Sequence, residues 1–312
     1  MPPLSYHAGQ VAVQEEAKTR HVADKLAHWV GPVDEFALGA DLLLFATADT
    51  DGILSFAVLS GEPPLVEVFG DYELRLRLPP DLPPLSSGTP TPCGGLAISL
   101  GQARRARING TLIPNDGASE LVAAETFTLC RKYVAPSLAL EERPHLGPVA
   151  CEPLALDDPW LAALLAKAET SFLASVSPNG GPDVAHRGGP PGFLELDAAA
   201  RRLTWPEYVG DGVFKSAGNV RATGTMTLLV PDHDSGDGVE LIGRGDYRNI
   251  RPERRQRLDA LVQHREPFPI QGEITCEIIR AVRLRQLLHP RQRIEKAIKV
   301  TSRSAVDEQA PQ

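Results

Sequence analysis

Short apolar segments separated by turn residues dominate the sequence beyond residue 40. In the first half they lie at 42–48, 53–59, 65–69, 74–78, 96–100, 107–112 and 121–129. Segments of this length, bounded by Gly, Pro, Asp and Asn, are typical of an antiparallel β domain. Ahead of them, apolar residues recur near one face of a helical wheel between Val11 and Val30. This spacing predicts a helix over residues 11–30.

A second β unit is predicted after a stretch rich in proline and loop residues. That stretch runs from Arg143 to Pro159, and we place a domain boundary in it. Asp157 or Asp158, followed by Pro159, indicates the start of a helix that covers residues 160–169. The predicted organisation is an N-terminal helix plus a degenerate β-barrel domain at 1–145 and a second β-barrel domain at 150–290. A polar tail at 299–312 is predicted to be disordered.

The two halves repeat the same predicted hairpin. An offset of 128 residues sets the turn Asp51-Gly52 against Asn179-Gly180 and aligns the flanking segments without a gap. A strand, a tight turn of this composition and a second strand form a β-hairpin. The sequence therefore predicts two related β domains in one chain.

Composition and charge narrow the range of functions. Of the 312 residues, 42% are hydrophobic and 23% are charged, and no apolar run reaches the roughly 18 residues of a transmembrane helix. The formal net charge of −8 argues against a nucleic-acid partner, so an anionic ligand would need a local basic cluster. The N-terminal segment has no signal-peptide pattern, and the four cysteines show neither zinc spacing nor a disulfide framework. We predict a cytoplasmic protein with reduced thiols, no membrane contact and no metal.

Two segments of the second half carry the strongest candidate chemistry. In AHRGGPPGF at 185–193, the cation of Arg187 stands beside glycines that let a ligand approach the backbone. In WPEYVGDGVFKSAGN at 205–219, aromatic rings precede Lys215 and Ser216, which lie at a predicted helix start suited to phosphate. A third basic run, RRAR at 104–107, is expected to face solvent or to pair with nearby acids.

These segments resemble the pyridoxamine 5′-phosphate oxidase-like family of FMN-binding split barrels. The resemblance is carried by SFLASVSPNGG at 171–181, DVAHRGGPPGFLEL at 183–196, RRLTWPEY at 201–208, GDGVFKSAGNV at 210–220 and VELIGRGDY at 239–247. The whole chain is similar to a longer branch, in which a degenerate first barrel precedes a barrel with HRGG-x-PGF. TLCRKYV at 128–134 matches that branch's GNCPKYI at Cys130, Lys132 and Tyr133, but lacks its Asn and Pro.

The resemblance implies a mainly β fold of tandem FMN-binding split barrels with flanking helices, and FMN as the cofactor. It implies a cofactor site formed by His186, Arg187, Gly188, Trp205, Glu207, Tyr208, Lys215, Ser216, Asn219 and Arg244, with Lys132 and Tyr133 from the first half. In the repeat alignment, Leu59 stands at the position of Arg187, so the first barrel lacks the cation that a phosphate needs. One principal FMN site per chain is therefore predicted. Homodimeric relatives hold the flavin between two barrels, which also allows a homodimer here.

Two functions are compatible with these residues. One is an FMN-dependent oxidoreductase of the pyridoxamine phosphate oxidase-like class that acts on a small-molecule substrate, with no side chain assigned a catalytic role. The other is a non-catalytic flavin- or haem-binding protein, such as a sensor, carrier or regulatory subunit. The missing Asn and Pro around Cys130 favour the second function. The substrate, the electron donor and the assembly state stay open.

Overall fold

The computed structural model describes residues 4–70, 74–78, 89–115, 118–134, 137–141, 148–250 and 268–294. Just under half of these residues lie in the strands of two antiparallel sheets. The first half contributes β1 (Leu42–Ala48), β2 (Leu54–Ser60), β3 (Glu67–Phe69), β4 (Arg75–Leu78), β5 (Thr91–Ser99), β6 (Arg104–Asn115), β7 (Ala118–Thr128) and β8 (Leu138–Leu140). The second half contributes β9 (Ala150–Pro153), β10 (Thr170–Val176), β11 (Pro182–Gly188), β12 (Glu195–Asp197), β13 (Arg202–Tyr208), β14 (Thr225–Pro231), β15 (Gly238–Asn249), β16 (Ile270–Arg285) and β17 (Arg291–Arg293).

The two sheets share one strand order. The first runs β2-β1-β5-β6-β7-β4-β3, and the second runs β11-β10-β14-β15-β16-β13-β12, with β9 also paired to β16. The hairpin β10–β11 repeats β1–β2 at the predicted offset of 128 residues, in its bounds and in its register. Leu42 pairs with Ser60 in the first hairpin, and Thr170 pairs with Gly188 in the second. The predicted repeat and the mainly β fold class are therefore confirmed.

An apolar layer joins the two sheets. Each sheet has a core of its own, and a further cluster draws on both halves, with Leu42 and Leu44 from the first and Phe172, Val184 and Leu229 from the second. Strands β1 and β10 are therefore buried along most of their length, because apolar residues cover both of their faces. Burial of this layer from water holds the two halves together.

Close backbone approach accompanies this packing. A Cβ on Gly94 of β5 would lie 2.7 Å from the amide nitrogen of Asp183 and 2.8 Å from its Cα. Real Cβ atoms do not come so near to backbone. The contact between β5 and β11 therefore requires glycine at this position.

Five helices lie in the described residues: α1 (Ala8–Glu16), α2 (Arg20–Leu26), α3 (Val33–Leu38), α4 (Pro159–Lys167) and α5 (Lys215–Thr223). The prediction of one helix over 11–30 is wrong, because Lys18 adopts a left-handed backbone with φ of 53° and separates α1 from α2. The prediction of α4 is confirmed, and Asp158 caps it by accepting a hydrogen bond from the Trp160 amide at 2.7 Å. None of the helices in the described ranges has the length and apolar content needed to span a bilayer.

The domain limits 1–145 and 150–290 stay a prediction. The strands of the two large sheets divide in that way, while β8 of the first half pairs with β17 and α1 packs on α5 of the second half. The tail predicted at 299–312 lies outside the described residues.

Candidate functional site

A cleft opens where the two halves of the chain meet. The first half lines it with β6, with the end of β7 and with the residues that follow, and the second half lines it with β11, β13 and the start of α5. The cleft holds about 100 Å³ of space. Its charged lining comprises four cations and two carboxylates: Arg105, Arg107, Arg187, Lys215, Glu207 and Asp211. Positive charge is thus concentrated locally in a chain of net charge −8.

Helix α5 begins at this cleft with an uncapped N-terminus. Phe214, the residue before the helix, has a left-handed φ of 53°, and its side chain does not cap the first turn. Asp211 shapes the preceding turn by accepting a hydrogen bond from the Val213 amide at 3.0 Å. The first amides of a helix have no intrahelical acceptor and carry the positive end of the helix dipole. A start of this kind binds anions, including phosphate.

Arg187 of β11 forms an ion pair with the buried Glu207 of β13. The Nε atom of Arg187 lies 2.6 Å from Oε1 of Glu207, but its N–H does not point at that oxygen. Charge attraction rather than a linear hydrogen bond therefore holds the pair. Trp205 donates from Nε1 to the same Glu207 oxygen at 3.1 Å. Glu207 thus keeps a second partner if Arg187 binds another anion.

A network of charged side chains fixes the first turn of α5. Lys215 Nζ lies 2.6 Å from Glu125 Oε2, and Ser216 Oγ donates to Asp183 Oδ2 at 2.8 Å. Arg107 Nη1 lies 2.9 Å from Asp183 Oδ1. Burial raises the pKa of Asp183, but the attraction of Arg107 and Lys215 and the hydrogen bonds it accepts outweigh burial and hold the pKa below its usual range. Because Arg107 and Glu125 belong to the first half, this network also joins the two halves.

Arg105 and His186 form a second contact between the halves. Arg105 Nη1 lies 2.5 Å from His186 Nδ1, and Arg105 Nη2 donates to the Lys132 carbonyl at 3.2 Å. The Sγ atom of Cys130 lies 3.4 Å from the same Nη2. Burial, Arg105 and Arg187 lower the pKa of His186 well below its usual range. The imidazole is therefore neutral at physiological pH.

Three aromatic rings cluster beside the cleft. The centroids of Tyr133 and Tyr208 are 5.5 Å apart, and Phe268 lies 5.7 Å from Tyr133 and 5.3 Å from Tyr208. The Tyr133 hydroxyl donates to the Val209 carbonyl at 2.8 Å, which fixes that ring. Tyr133 and Tyr208 line the cleft and are only half-buried. They offer flat apolar faces to a planar ligand.

Eight of the twelve predicted cofactor residues come together at this cleft. They are Tyr133, His186, Arg187, Gly188, Glu207, Tyr208, Lys215 and Ser216. Gly188 has a structural reason to lack a side chain, because a Cβ there would collide with the Tyr133 carbonyl oxygen. The glycine thus admits a neighbouring segment of the chain, whereas the sequence suggested that it admits a ligand.

The other four predicted residues do not line the cleft. Trp205 is fully buried in the core of the second half and reaches the cleft only through its bond to Glu207. Asn219 points toward α1, where it accepts a hydrogen bond from Gln10 at 2.9 Å. Lys132 and Arg244 are exposed. Trp205 shares a face of β13 with Glu207 but lies in the core, and Asn219 lies one helical turn beyond Lys215. The resemblance alone did not resolve these distances from the cleft.

Arg105 and Arg107 are the main cleft residues that the sequence placed elsewhere. Both are buried, with 7% and 5% of their surface exposed. Arg107 pairs with an acid as expected, and Arg104 is exposed, but Arg105 meets His186 instead of an acid or solvent. Side-chain alternation along β6 could have predicted this position. Ala106 packs into the core of the first sheet, so Arg105 and Arg107 must both point to the opposite face of the strand.

Solved structures of pyridoxamine 5′-phosphate oxidase-like proteins are similar to this chain. A putative pyridoxamine 5′-phosphate oxidase from Lactobacillus delbrueckii is 16% identical, covers 40% of this chain and 91% of its own, and gives a TM-score of 0.29. A pyridoxamine 5′-phosphate oxidase-related, FMN-binding protein from Nostoc punctiforme is 12% identical, covers 44% of this chain and 90% of its own, and gives 0.29. An F420 reductase is 18% identical, covers 38% of this chain and 93% of its own, and gives a TM-score of 0.27. No protein-family model and no curated protein matches the sequence.

The predicted resemblance is confirmed in that the matching structures include proteins of the predicted class. Each of them aligns over most of its own length and over less than half of this chain. Similarities at TM-scores near 0.3 do not identify a ligand for this chain. The ligand of the cleft is therefore inferred from its own side chains.

Proposed function

We propose that the chain binds FMN in this cleft and acts as a flavin-dependent oxidoreductase on a small-molecule substrate. A surplus of buried hydrogen-bond donors carries the proposal. Arg105 Nε, Arg107 Nε and His186 Nε2 are buried and meet no acceptor within the described part of the chain. Each such donor costs on the order of 1–3 kcal/mol when unpaired. An acceptor-rich, anionic ligand would therefore be stabilised here.

FMN fits this set of donors. Its phosphate would be held by the first amides of α5, including that of Ser216, and by the side chains of Lys215 and Arg187. Its ring system offers carbonyl oxygens and ring nitrogens to the remaining donors, and flat faces to Tyr133 and Tyr208. A bound flavin supplies electron or hydride transfer, and the protein supplies orientation and electrostatics.

Side chains must rearrange to admit the flavin. The space of about 100 Å³ is smaller than the roughly 300–1,000 Å³ of typical ligand pockets. The ion pair between Arg187 and Glu207 lies in the cleft and is the partnership that a phosphate would replace. The contacts of Asp183 with Arg107 and Ser216 involve only buried protein groups, so they would keep the start of α5 in place.

The chain supports one such site. Leu59, which aligns with Arg187, packs against the core of the first sheet. Leu287 and Leu288 are buried in the apolar layer between the sheets, and the His289 amide donates to Ser60 Oγ at 3.2 Å. The segment after β16 therefore lies against the end of β2, where the repeat would otherwise place a second site. Both walls of the described cleft come from one chain, so a homodimer is not needed to complete it.

The proposal includes a cytoplasmic location. Cys93, Cys130, Cys151 and Cys276 are all free thiols, as expected in a reducing compartment. Burial raises the pKa of Cys93 and of Cys276 to about 12, so these two thiols are unreactive.

A non-catalytic flavin-binding role is the second candidate. One observation favours it: His186 is the only imidazole among the described lining residues, and Arg105 occupies its Nδ1. The cleft thus presents no histidine ready to exchange a proton. Reduction of the bound flavin by NADH or NADPH, followed by reoxidation with an acceptor, separates the two functions.

The first test is the visible spectrum of the purified full-length chain, with mass spectrometry of any released cofactor. We expect flavin absorption, or its appearance when FMN is added, whereas a haem spectrum would identify the other cofactor class. Arg187→Gln should weaken FMN binding by about tenfold or more, equivalent to about 1.4 kcal/mol. Arg202→Gln, a matched change at an exposed arginine outside the cleft, should leave binding unchanged. A colourless protein that binds no added FMN would refute the proposal.

A further inference from the structure

The two ring nitrogens of His186 have different surroundings. Nδ1 lies 2.5 Å from Nη1 of Arg105. A guanidinium can only donate, so Nδ1 must accept and the proton of the neutral ring must sit on Nε2. The Nε2 atom is buried and finds no acceptor in the part of the chain that the structure describes. The contact with Arg105 therefore selects the Nε2–H tautomer, and the Nε2–H group is left without an acceptor.

Both members of this pair are held in place. Arg105 donates from Nη2 to the Lys132 carbonyl at 3.2 Å and contacts Cys130 Sγ at 3.4 Å. The ring of His186 meets Phe172 edge to face, with centroids 5.8 Å apart. Arg105 and His186 are 7% and 6% exposed. Neither side chain can turn away without losing packing or a hydrogen bond.

The charged groups around His186 oppose a positive charge on it. Burial has the largest effect and is followed by Arg105 of β6, Arg187 of β11 and His233 of the turn after β14, and all of them lower the pKa of His186. Cys130, which contacts Arg105, is the nearby group from the segment after β7. A ring in this setting is a neutral donor rather than a proton carrier.

We propose that Arg105 is a positioning residue that fixes His186 as a neutral Nε2–H donor to the acceptor edge of the ligand ring. The inference rests on the proposed flavin site and deepens it, because it assigns separate partners to the ring and to the phosphate. The ring acceptor, a carbonyl oxygen or a ring nitrogen, takes the His186 proton. The phosphate takes Arg187 and the start of α5.

The tautomer can be measured without any flavin, by nitrogen-15 NMR of the full chain labelled at histidine. The His186 signal is assigned by its loss in His186→Gln. We expect an unprotonated Nδ1 and a protonated Nε2 throughout the pH range in which a free imidazole titrates. In Arg105→Met, which keeps an unbranched side chain and removes the donor, the ring should lose its fixed tautomer. Its pKa should rise but stay below the ordinary value, because burial and Arg187 still oppose a positive charge. A wild-type ring that is protonated on Nδ1, or that titrates near 6.5, would overturn the proposal.

Addition of FMN tests the contact with the ligand. The Nε2 proton resonance should shift on binding. His186→Leu should weaken FMN binding by about tenfold, and His186→Gln, whose amide can replace the donor, should restore most of it. Tight FMN binding with no change at Nε2 and no loss in His186→Leu would overturn the donor role and leave the flavin site standing. Absence of flavin binding would refute the proposed function, and the tautomer measurement would still decide whether Arg105 fixes the donor.

Discussion

The buried Arg291 forms an ion pair with the partly buried Asp41 although 250 residues separate them in the chain. Arg291 Nη1 lies 3.0 Å from Asp41 Oδ1, and its Nη2 donates to the Asp41 carbonyl at 2.8 Å. The Arg291 side chain has no exposed surface. Asp41 directly precedes β1 and Arg291 begins β17, so the pair ties the last described strand to the first strand of the first sheet.

Removal of one member of this pair should destabilise the fold strongly. Arg291→Met leaves the partly buried Asp41 carboxylate without its counter-charge, and the loss for a fully buried pair, about 3–5 kcal/mol, is its upper bound. Urea unfolding of the full chain measures the loss. The double variant Asp41→Asn with Arg291→Met should recover much of it, because no uncompensated charge stays buried. Arg248→Met, at the exposed pair with Glu273, should change stability by less than about 1 kcal/mol.

Neutralisation of Glu207 should strengthen anion binding in the cleft. Glu207→Gln removes the carboxylate that pairs with Arg187 and keeps an oxygen for the hydrogen bond from Trp205. Arg187 then has no ion pair to break before it binds the phosphate. We expect FMN to bind about fivefold more tightly, equivalent to about 1 kcal/mol, in a fluorescence titration. Glu273→Gln on the exposed surface serves as the control, and weaker binding in Glu207→Gln would contradict the assigned role of the pair.

Stability should depend on pH through Glu240. Its carboxylate accepts a hydrogen bond from the Phe56 amide at 2.8 Å, and burial raises its pKa to about 7 from an ordinary value of 4.5. The folded state therefore binds this proton more tightly than the unfolded state. Its stabilising effect is complete below about pH 4.5 and is lost as the pH rises through about 7.

This contribution can be isolated with an isosteric variant. Glu240→Gln keeps an acceptor for Phe56 and removes the titrating proton. Relative to the wild type, we expect the variant to gain up to about 3 kcal/mol in unfolding free energy between about pH 4.5 and about pH 8. The measurement is urea unfolding at both pH values. An unchanged difference between the two proteins across that range would show that Glu240 titrates normally.

A methyl group at Gly94 should disturb the contact between the halves. In Gly94→Ala the new Cβ would lie 2.7–2.8 Å from the backbone of Asp183 and of Pro182, so one strand must shift. Overpacking of this kind costs about 1–3 kcal/mol. Gly181→Ala is the matched control, because a Cβ there meets only Ser177 Oγ at 3.4 Å. Equal thermal stability of the two variants would contradict the close approach of β5 and β11.

Local patterns predicted the secondary structure well wherever neighbours in sequence determine it. Short apolar runs around Asp-Gly and Asn-Gly turns identified the hairpin over 42–60 and its repeat over 170–188, and an Asp cap followed by proline identified the helix at Pro159–Lys167. The long helix over 11–30 was predicted wrongly, because its periodicity continues through Lys18 while the backbone there turns left-handed. That break lets α1 pack on α5, a contact between residues far apart in the chain.

The residues of the cleft also fall into those that the local sequence predicted and those that only long-range packing decided. Residues on one strand or one turn, such as Arg187, Lys215 and Ser216, could be picked out because their chemistry and spacing are visible locally. The contacts made by the first half could not, because Arg107 and Arg105 reach Asp183 and His186 only after the two sheets have packed together. Side-chain alternation assigns a face to each residue, but only the docking of one sheet on the other decides which charges meet. The sequence thus specified the strands, the repeat and the basic segments, and the tertiary structure decided which donors stay unpaired at the cleft.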